Sequence, residues 1–61
     1  MKKRILLVED TQTIVMVEKM MLAGQGYSID TAKNGVEGLR KIEKQPPDLV
    51  LLFQALPWLL P

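Results

Sequence analysis

Four consecutive apolar residues, Ile5-Leu6-Leu7-Val8, stand between a charged lead-in, Lys2-Lys3-Arg4, and an acid pair, Glu9-Asp10. An unbroken apolar run suits a strand covered on both faces, because a strand with one wet face alternates. The first predicted element is therefore a strand over Lys3–Val8. The period then changes. Ile14, Val17, Met20 and Met21 recur at spacings of three and four, which places them on one helix face, and Thr11 or Thr13 is available as the cap. A helix is predicted over Thr13–Ala23, with Gly24 and Gly26 supplying the left-handed backbone that ends it. Tyr27–Ala32 partly alternates, with Tyr27, Ile29 and Thr31 on one side and Ser28, Asp30 and Ala32 on the other, and this predicts an edge strand. Asn34 followed three residues later by Glu37 has the form of a capping box. It opens a second helix over Val36–Lys44, whose apolar face is Val36, Leu39 and Ile42 and whose internal Gly38 costs about 1 kcal/mol relative to alanine. Gln45-Pro46-Pro47 stops that helix, and Asp48–Phe53 is the third predicted strand.

Strands alternating with helices predict an α/β unit, β-α-β-α-β, with a parallel sheet, and right-handed crossovers put the helices on opposite faces if the strand order is 2-1-3. In such a sheet ligands sit outside the carboxyl ends of the strands, where chain order reverses. Here that is the crevice between the first and third strands. Composition narrows what the crevice can do. The chain has 61 residues, no cysteine and no histidine, so disulfides and the common zinc ligand sets are absent. A domain of this size buries only about 60% of the surface its unfolded chain exposes, which leaves self-association as the remaining source of stability.

Eight basic residues against seven acidic ones leave a net charge of +1, too little to argue for nucleic acid or an acidic lipid surface. Lys2-Lys3-Arg4 is the only basic cluster and is expected to be a solvated lead-in. Glu9-Asp10 interrupts the first apolar run well short of the roughly 7–15 residues of a signal peptide, and no stretch approaches the ~18 apolar residues of a membrane span. A cytoplasmic protein with no membrane partner is expected.

The candidate chemistry is carried by Glu9 and Asp10. Two adjacent carboxylates at a strand end suit a hard cation such as magnesium, but that ion needs further oxygen ligands, and the natural supplier is the end of the third strand. At this point the residues resemble a family. Ile5-Leu6-Leu7-Val8-Glu9-Asp10, Gly24-Gln25-Gly26-Tyr27, Ala32-Lys33-Asn34-Gly35-Val36-Glu37-Gly38-Leu39 and Pro47-Asp48-Leu49-Val50-Leu51-Leu52 follow, in order and spacing, the receiver domain of bacterial response regulators. The resemblance covers residues 2 to about 52.

That resemblance implies half of a flavodoxin-like doubly wound fold and a place in two-component phosphorelay signalling. A histidine kinase would donate a phosphoryl group to an aspartate at the end of the third strand, with magnesium held by Glu9 and Asp10. The acceptor position is occupied by Phe53, which offers neither a nucleophile nor a metal ligand. No catalytic residue is therefore expected, and any magnesium at Glu9 and Asp10 is bound weakly or survives only as a vestige. Asp48 lies at the opposite end of its strand and is not expected to substitute. The family's later strands and helices, with a hydroxyl residue and a lysine, have no counterpart after Phe53.

Read this way, residues 1–53 are a truncated receiver domain and 54–61 an apolar tail foreign to the family. The third strand would be central in a complete fold, so its outer edge is expected to be bare, and a bare apolar edge is an association site. Leu51, Leu52, Phe53, Leu56, Trp58, Leu59 and Leu60 are the expected interface, and a homodimer that completes the fold is the expected state. Two alternatives remain at this level: a magnesium-binding receiver still able to signal, and a decoy module that binds a kinase or another receiver.

Overall fold

Five elements follow one another over the residues that the computed structural model describes, 1–53. They are β1 (Arg4–Val8), α1 (Gln12–Gly24), β2 (Ser28–Ala32), α2 (Gly35–Lys44) and β3 (Leu49–Leu52). The strands, alternating with helices as the periods predict, form one parallel sheet in the order β2-β1-β3, consistent with half of the flavodoxin-like doubly wound fold that the resemblance implies. Leu56, Trp58, Leu59 and Leu60, expected in the interface, lie outside the described residues. No helix among the described residues is long and apolar enough to cross a membrane.

Position in the sheet decides burial. β1 is flanked by a strand on each side and by a helix on each face, and Ile5, Leu6, Leu7 and Val8 are all buried. Its alternate residues divide between two half-cores. Leu6 and Val8 join Ala32 beneath α2, with Ile42 packed against them. Ile5 and Leu7 point to the opposite face, in register with Ile29 and Thr31 on one side and Leu49 and Leu51 on the other. Leu22 of α1 and Tyr27 approach that second face and share a groove with Ile5, Leu49 and Leu51.

The termini of the sheet are tied by the chain itself. Asp48 N donates to Arg4 O at 2.8 Å, and Asp48 Oδ2 accepts from Arg4 N at 2.7 Å. Arg4 Nη1 donates to Pro46 O at 3.1 Å, so the turn into β3 is clamped to the start of β1. This explains why Asp48 is no spare acid: its carboxylate caps the amino edge of the sheet. At the other edge Phe53 N donates to Val8 O at 3.0 Å, which extends the β1–β3 ladder by one residue.

Helix boundaries differ from expectation in instructive ways. α1 begins at Gln12, after Thr11 in extended conformation, and Thr11 makes no side-chain cap. Gly24 is its last residue and only Gly26 has positive φ, at 93°. Tyr27 N donates to Leu22 O and Gly26 N to Ala23 O, the paired bonds of a Schellman turn, which needs one left-handed residue rather than two. In α2 the capping box forms by half. Asn34 Oδ1 accepts from Glu37 N at 2.9 Å, whereas the Glu37 carboxylate lies 3.7 Å from Lys41 Nζ, a neighbour one turn away.

The largest correction concerns which helix faces are covered. Ile14, Val17, Met20 and Met21 are exposed, and no residue of α1 is buried; Val15 and Leu22, one position off the predicted stripe, are half-buried. On α2, Val36 and Leu39 are exposed while Ile42 packs and Gly38 is buried. A three-stranded sheet offers each helix only a narrow strip, so the remaining apolar positions stand clear of it. Gly38 owes its place to close approach: a Cβ there would lie 3.3 Å from Val8 Cγ2 and 3.8 Å from Ala32 Cβ.

Candidate functional site

Glu9 and Asp10 follow β1 directly, and the two side chains take different roles. Glu9 is 5% exposed, and its Oε1 accepts from Thr11 N at 3.0 Å. Burial of a carboxylate is costly unless hydrogen bonds compensate, and this bond to the residue preceding α1 supplies one. Glu9 N is also held, donating to Ala32 O at 2.9 Å. Asp10 is exposed and accepts weakly from Thr11 Oγ1 at 3.4 Å. The pair thus places one buried, hydrogen-bonded carboxylate and one exposed carboxylate ahead of α1, where carboxylates are electrostatically favoured.

The cleft these acids line measures about 250 Å³ and is walled by Gln12, Met16 and Lys19 from α1 and by Thr31, Lys33 and Glu37 from the β2–α2 side. It therefore opens over β1 and β2. At the ends of β1 and β3, where a crevice is expected, Phe53 directly follows β3 with its amide bonded to Val8 O, and residues 54–61 are outside the described residues. No group of three or more acid, histidine or cysteine side chains gathers among the described residues. Magnesium needs more oxygen ligands than the two carboxylates of Glu9 and Asp10 supply.

Lys41, unnoticed in the sequence, carries the best-connected charge. Its ammonium donates to Asp30 Oδ1 at 3.1 Å and to the Thr31 carbonyl, and Glu37 lies 3.7 Å away. Burial pushes the Asp30 carboxyl up, but the Lys41 hydrogen bond, the Thr31 amide and the charges of Lys41 and Arg4 outweigh it, so the net displacement is downward. The spacing of Glu37 and Lys41, four apart on one helix, could have signalled part of this; the Asp30 contact depends on how α2 lies across the sheet.

β3 completes the inventory. Leu49, Val50, Leu52 and Phe53 are 41–54% exposed. Grooves flank them on both faces: about 550 Å³ beside Leu49 and Leu51, about 410 Å³ between Val50, Leu52 and the Val36 and Leu39 side chains of α2. Of the expected interface residues, Leu51 and Leu52 lie in this strand and Phe53 directly follows it.

Comparison with known proteins gives a consistent answer. The profile of the response regulator receiver domain matches residues 5–59, a span that runs past Phe53. The chain is 42% identical over 57 residues to the alkaline phosphatase synthesis transcriptional regulatory protein PhoP of Bacillus subtilis, covering 93% of this chain and 24% of that protein. It is 43% identical over 56 residues to the probable histidine kinase 1 of Oryza sativa subsp. indica, covering 92% and 6%. The CAI-1 autoinducer sensor kinase/phosphatase CqsS of Vibrio cholerae is 39% identical over 56 residues, covering 92% and 8%. The chain thus spans a minor part of the length of each of these relatives. No solved structure matches it.

Proposed function

This chain belongs to the response regulator receiver domain family, and we propose that within two-component phosphorelay signalling it takes up no phosphoryl group and acts by associating with a second copy of itself. The observation that carries this reading is Phe53. Its backbone is bonded to the end of β1, so an apolar ring stands at the strand end nearest Glu9 and Asp10, where phosphoryl transfer to this fold would require a nucleophilic oxygen. Asp48 is committed to Arg4 at the opposite edge, and the chain contains no histidine or cysteine to serve instead.

Glu9 and Asp10 hold magnesium weakly at most, since two carboxylates without a third acid leave most of the ion's shell to water. A histidine kinase is a partner only through the family, and no nucleic acid or membrane contact is proposed, given a net charge of +1. The cysteine-free composition accords with a cytoplasmic location. Support for self-association comes from β3, which among the described residues has no strand on its outer side.

Incubation with acetyl phosphate and magnesium, followed by intact-mass measurement, tests the first half of the proposal. No added phosphoryl mass is expected. An adduct mapped to Glu9 or Asp10 would restore the active-receiver reading and remove this one.

A further inference from the structure

Asn34 is the only asparagine of the chain, and a glycine follows it. That pair is chemically labile, because a residue without a side chain leaves its backbone nitrogen free to reach the carboxamide carbon before it. Both residues are exposed, and a Cβ added at Gly35 would meet nothing within 4 Å. The reading of Glu9, Asp10 and Phe53 makes no use of them.

Two hydrogen bonds hold Asn34 away from this reaction. Its Oδ1 accepts from Glu37 N at 2.9 Å, and its backbone O accepts from Gly38 N at 2.9 Å. The first fixes the carboxamide over the opening turn of α2. The second fixes the carbonyl whose carbon bears the Gly35 nitrogen. Ring closure requires Cβ and that nitrogen to eclipse about the Asn34 Cα–C bond, so ψ must turn from 175°, and the turn carries the carbonyl off Gly38 N. The carboxamide has to leave Glu37 N in the same movement. Gly38 is buried against Val8 and Ala32, so the packing of α2 on the sheet resists the opening.

We propose that Asn34 is a self-modifying site, which deamidates through attack by the Gly35 nitrogen, and that the first turn of α2 is the gate that sets its rate. The deprotonated Gly35 nitrogen forms a bond to Asn34 Cγ. The Cγ–Nδ2 bond breaks, ammonia leaves with a proton returned through solvent, and a five-membered succinimide remains. Water then opens the ring at either carbonyl. Cleavage of the new Cγ–N bond gives aspartate, and cleavage of the original backbone C–N bond gives isoaspartate. Water is the only reactant consumed.

The two products differ in what they do to the helix. Aspartate keeps an acceptor oxygen in the cap position, where a negative charge is also favoured. Isoaspartate routes the main chain through the former side chain, which inserts an extra carbon between β2 and α2 and removes the cap. It also displaces Gly38 from a seat in which Val8 Cγ2 would stand 3.3 Å from an added Cβ. Either product cancels the chain's net charge of +1.

The test is incubation of the whole chain in mildly alkaline buffer, with and without denaturing guanidinium chloride. Trypsin cleaves after Lys33 and Arg40 and isolates residues 34–40, whose amide, aspartate and isoaspartate forms are separated by chromatography and identified by mass. Acid is expected to accumulate in that peptide in both samples, more slowly without denaturant by roughly 2- to 30-fold from the cap alone. Gly35→Ala finds open space and needs no positive φ, and its side chain is expected to slow the reaction in denaturant, a comparison that does not depend on folding. Asn34 that stays intact in denaturant, or acid that appears instead at Gln25, the other amide side chain followed by glycine, overturns the site. Equal rates with and without denaturant overturn the gate. A Gly35→Ala chain that reacts in denaturant as fast as the parent overturns the ring route.

Discussion

Two glycines in helices predict opposite consequences for the same chemical change. Gly24 ends α1 without positive φ and has open space around it, so Gly24→Ala restricts only the unfolded chain and is expected to stabilise by roughly 0.4–1 kcal/mol. Gly38 is pressed against Val8 and Ala32, and Gly38→Leu is expected to cost about 1–3 kcal/mol through overpacking. Urea unfolding midpoints of the two variants check both signs. In the sequence Gly38 reads as a helix defect, since composition shows the lost propensity and not the surface that requires it. Asp30 gives a pH-dependent case. Its carboxyl is held below the ordinary carboxylate range, so the unfolded chain binds the proton more tightly. The Asp30 contribution is therefore complete above the ordinary carboxylate range and disappears as pH falls through the lower folded-state value. With Asp30 46% exposed at the Lys41 pair, solvent screening holds that contribution under about 1 kcal/mol. Asp30→Asn is expected to be less stable than the parent near neutrality and to lose that deficit in acid, as read from unfolding midpoints across the acid range.

α1 and β1 stand at opposite ends of a scale of local stability. β1 is buried along four of its residues, whereas α1 has none buried and touches the sheet through the stripe of Val15 and Leu22. Segments with few buried contacts open first, so amides in the middle of α1 are expected to exchange faster than those of Ile5–Val8 and of α2, whose cap is formed at Asn34. Equal protection in α1 and β1 would mean that something covers the Ile14, Val17 and Met21 stripe. The same contrast marks what was legible beforehand. All five elements and the Asn34 cap follow from period and punctuation, because those signals are local, whereas the order of the strands belongs to the sheet as a whole. The covered side of each helix does not, because α1 carries apolar residues on two neighbouring stripes and only the sheet's width selects between them. The candidate site divides likewise: Glu9 and Asp10 are visible as an acid pair, while Lys41, the burial of Glu9 and the opening of the cleft toward β2 come from the packing of helices on strands.

At the scale of the molecule, the buried hydrophobic side chains among the described residues are Ile5, Leu6, Leu7, Val8 and Ala32, four from a single strand. Half-buried residues such as Val15, Leu22 and Ile42 add to them, but the sheet's third strand contributes none that is fully covered. A core so centred on β1 draws little from β3, and the apolar surface beside that strand remains to be removed from water by something else. If a second copy removes it, folding and association are one equilibrium, and stability depends on concentration by mass action. Each ten-fold rise in protein should then add about 1.4 kcal/mol per mole of dimer to resistance against unfolding. The urea midpoint or Tm is therefore expected to climb steadily between micromolar and millimolar samples, with light scattering tracking a dimer that dissociates as it unfolds. A midpoint constant across that range would show the single chain stabilising itself, in which case the exposed flank of β3 is tolerated or is covered from within.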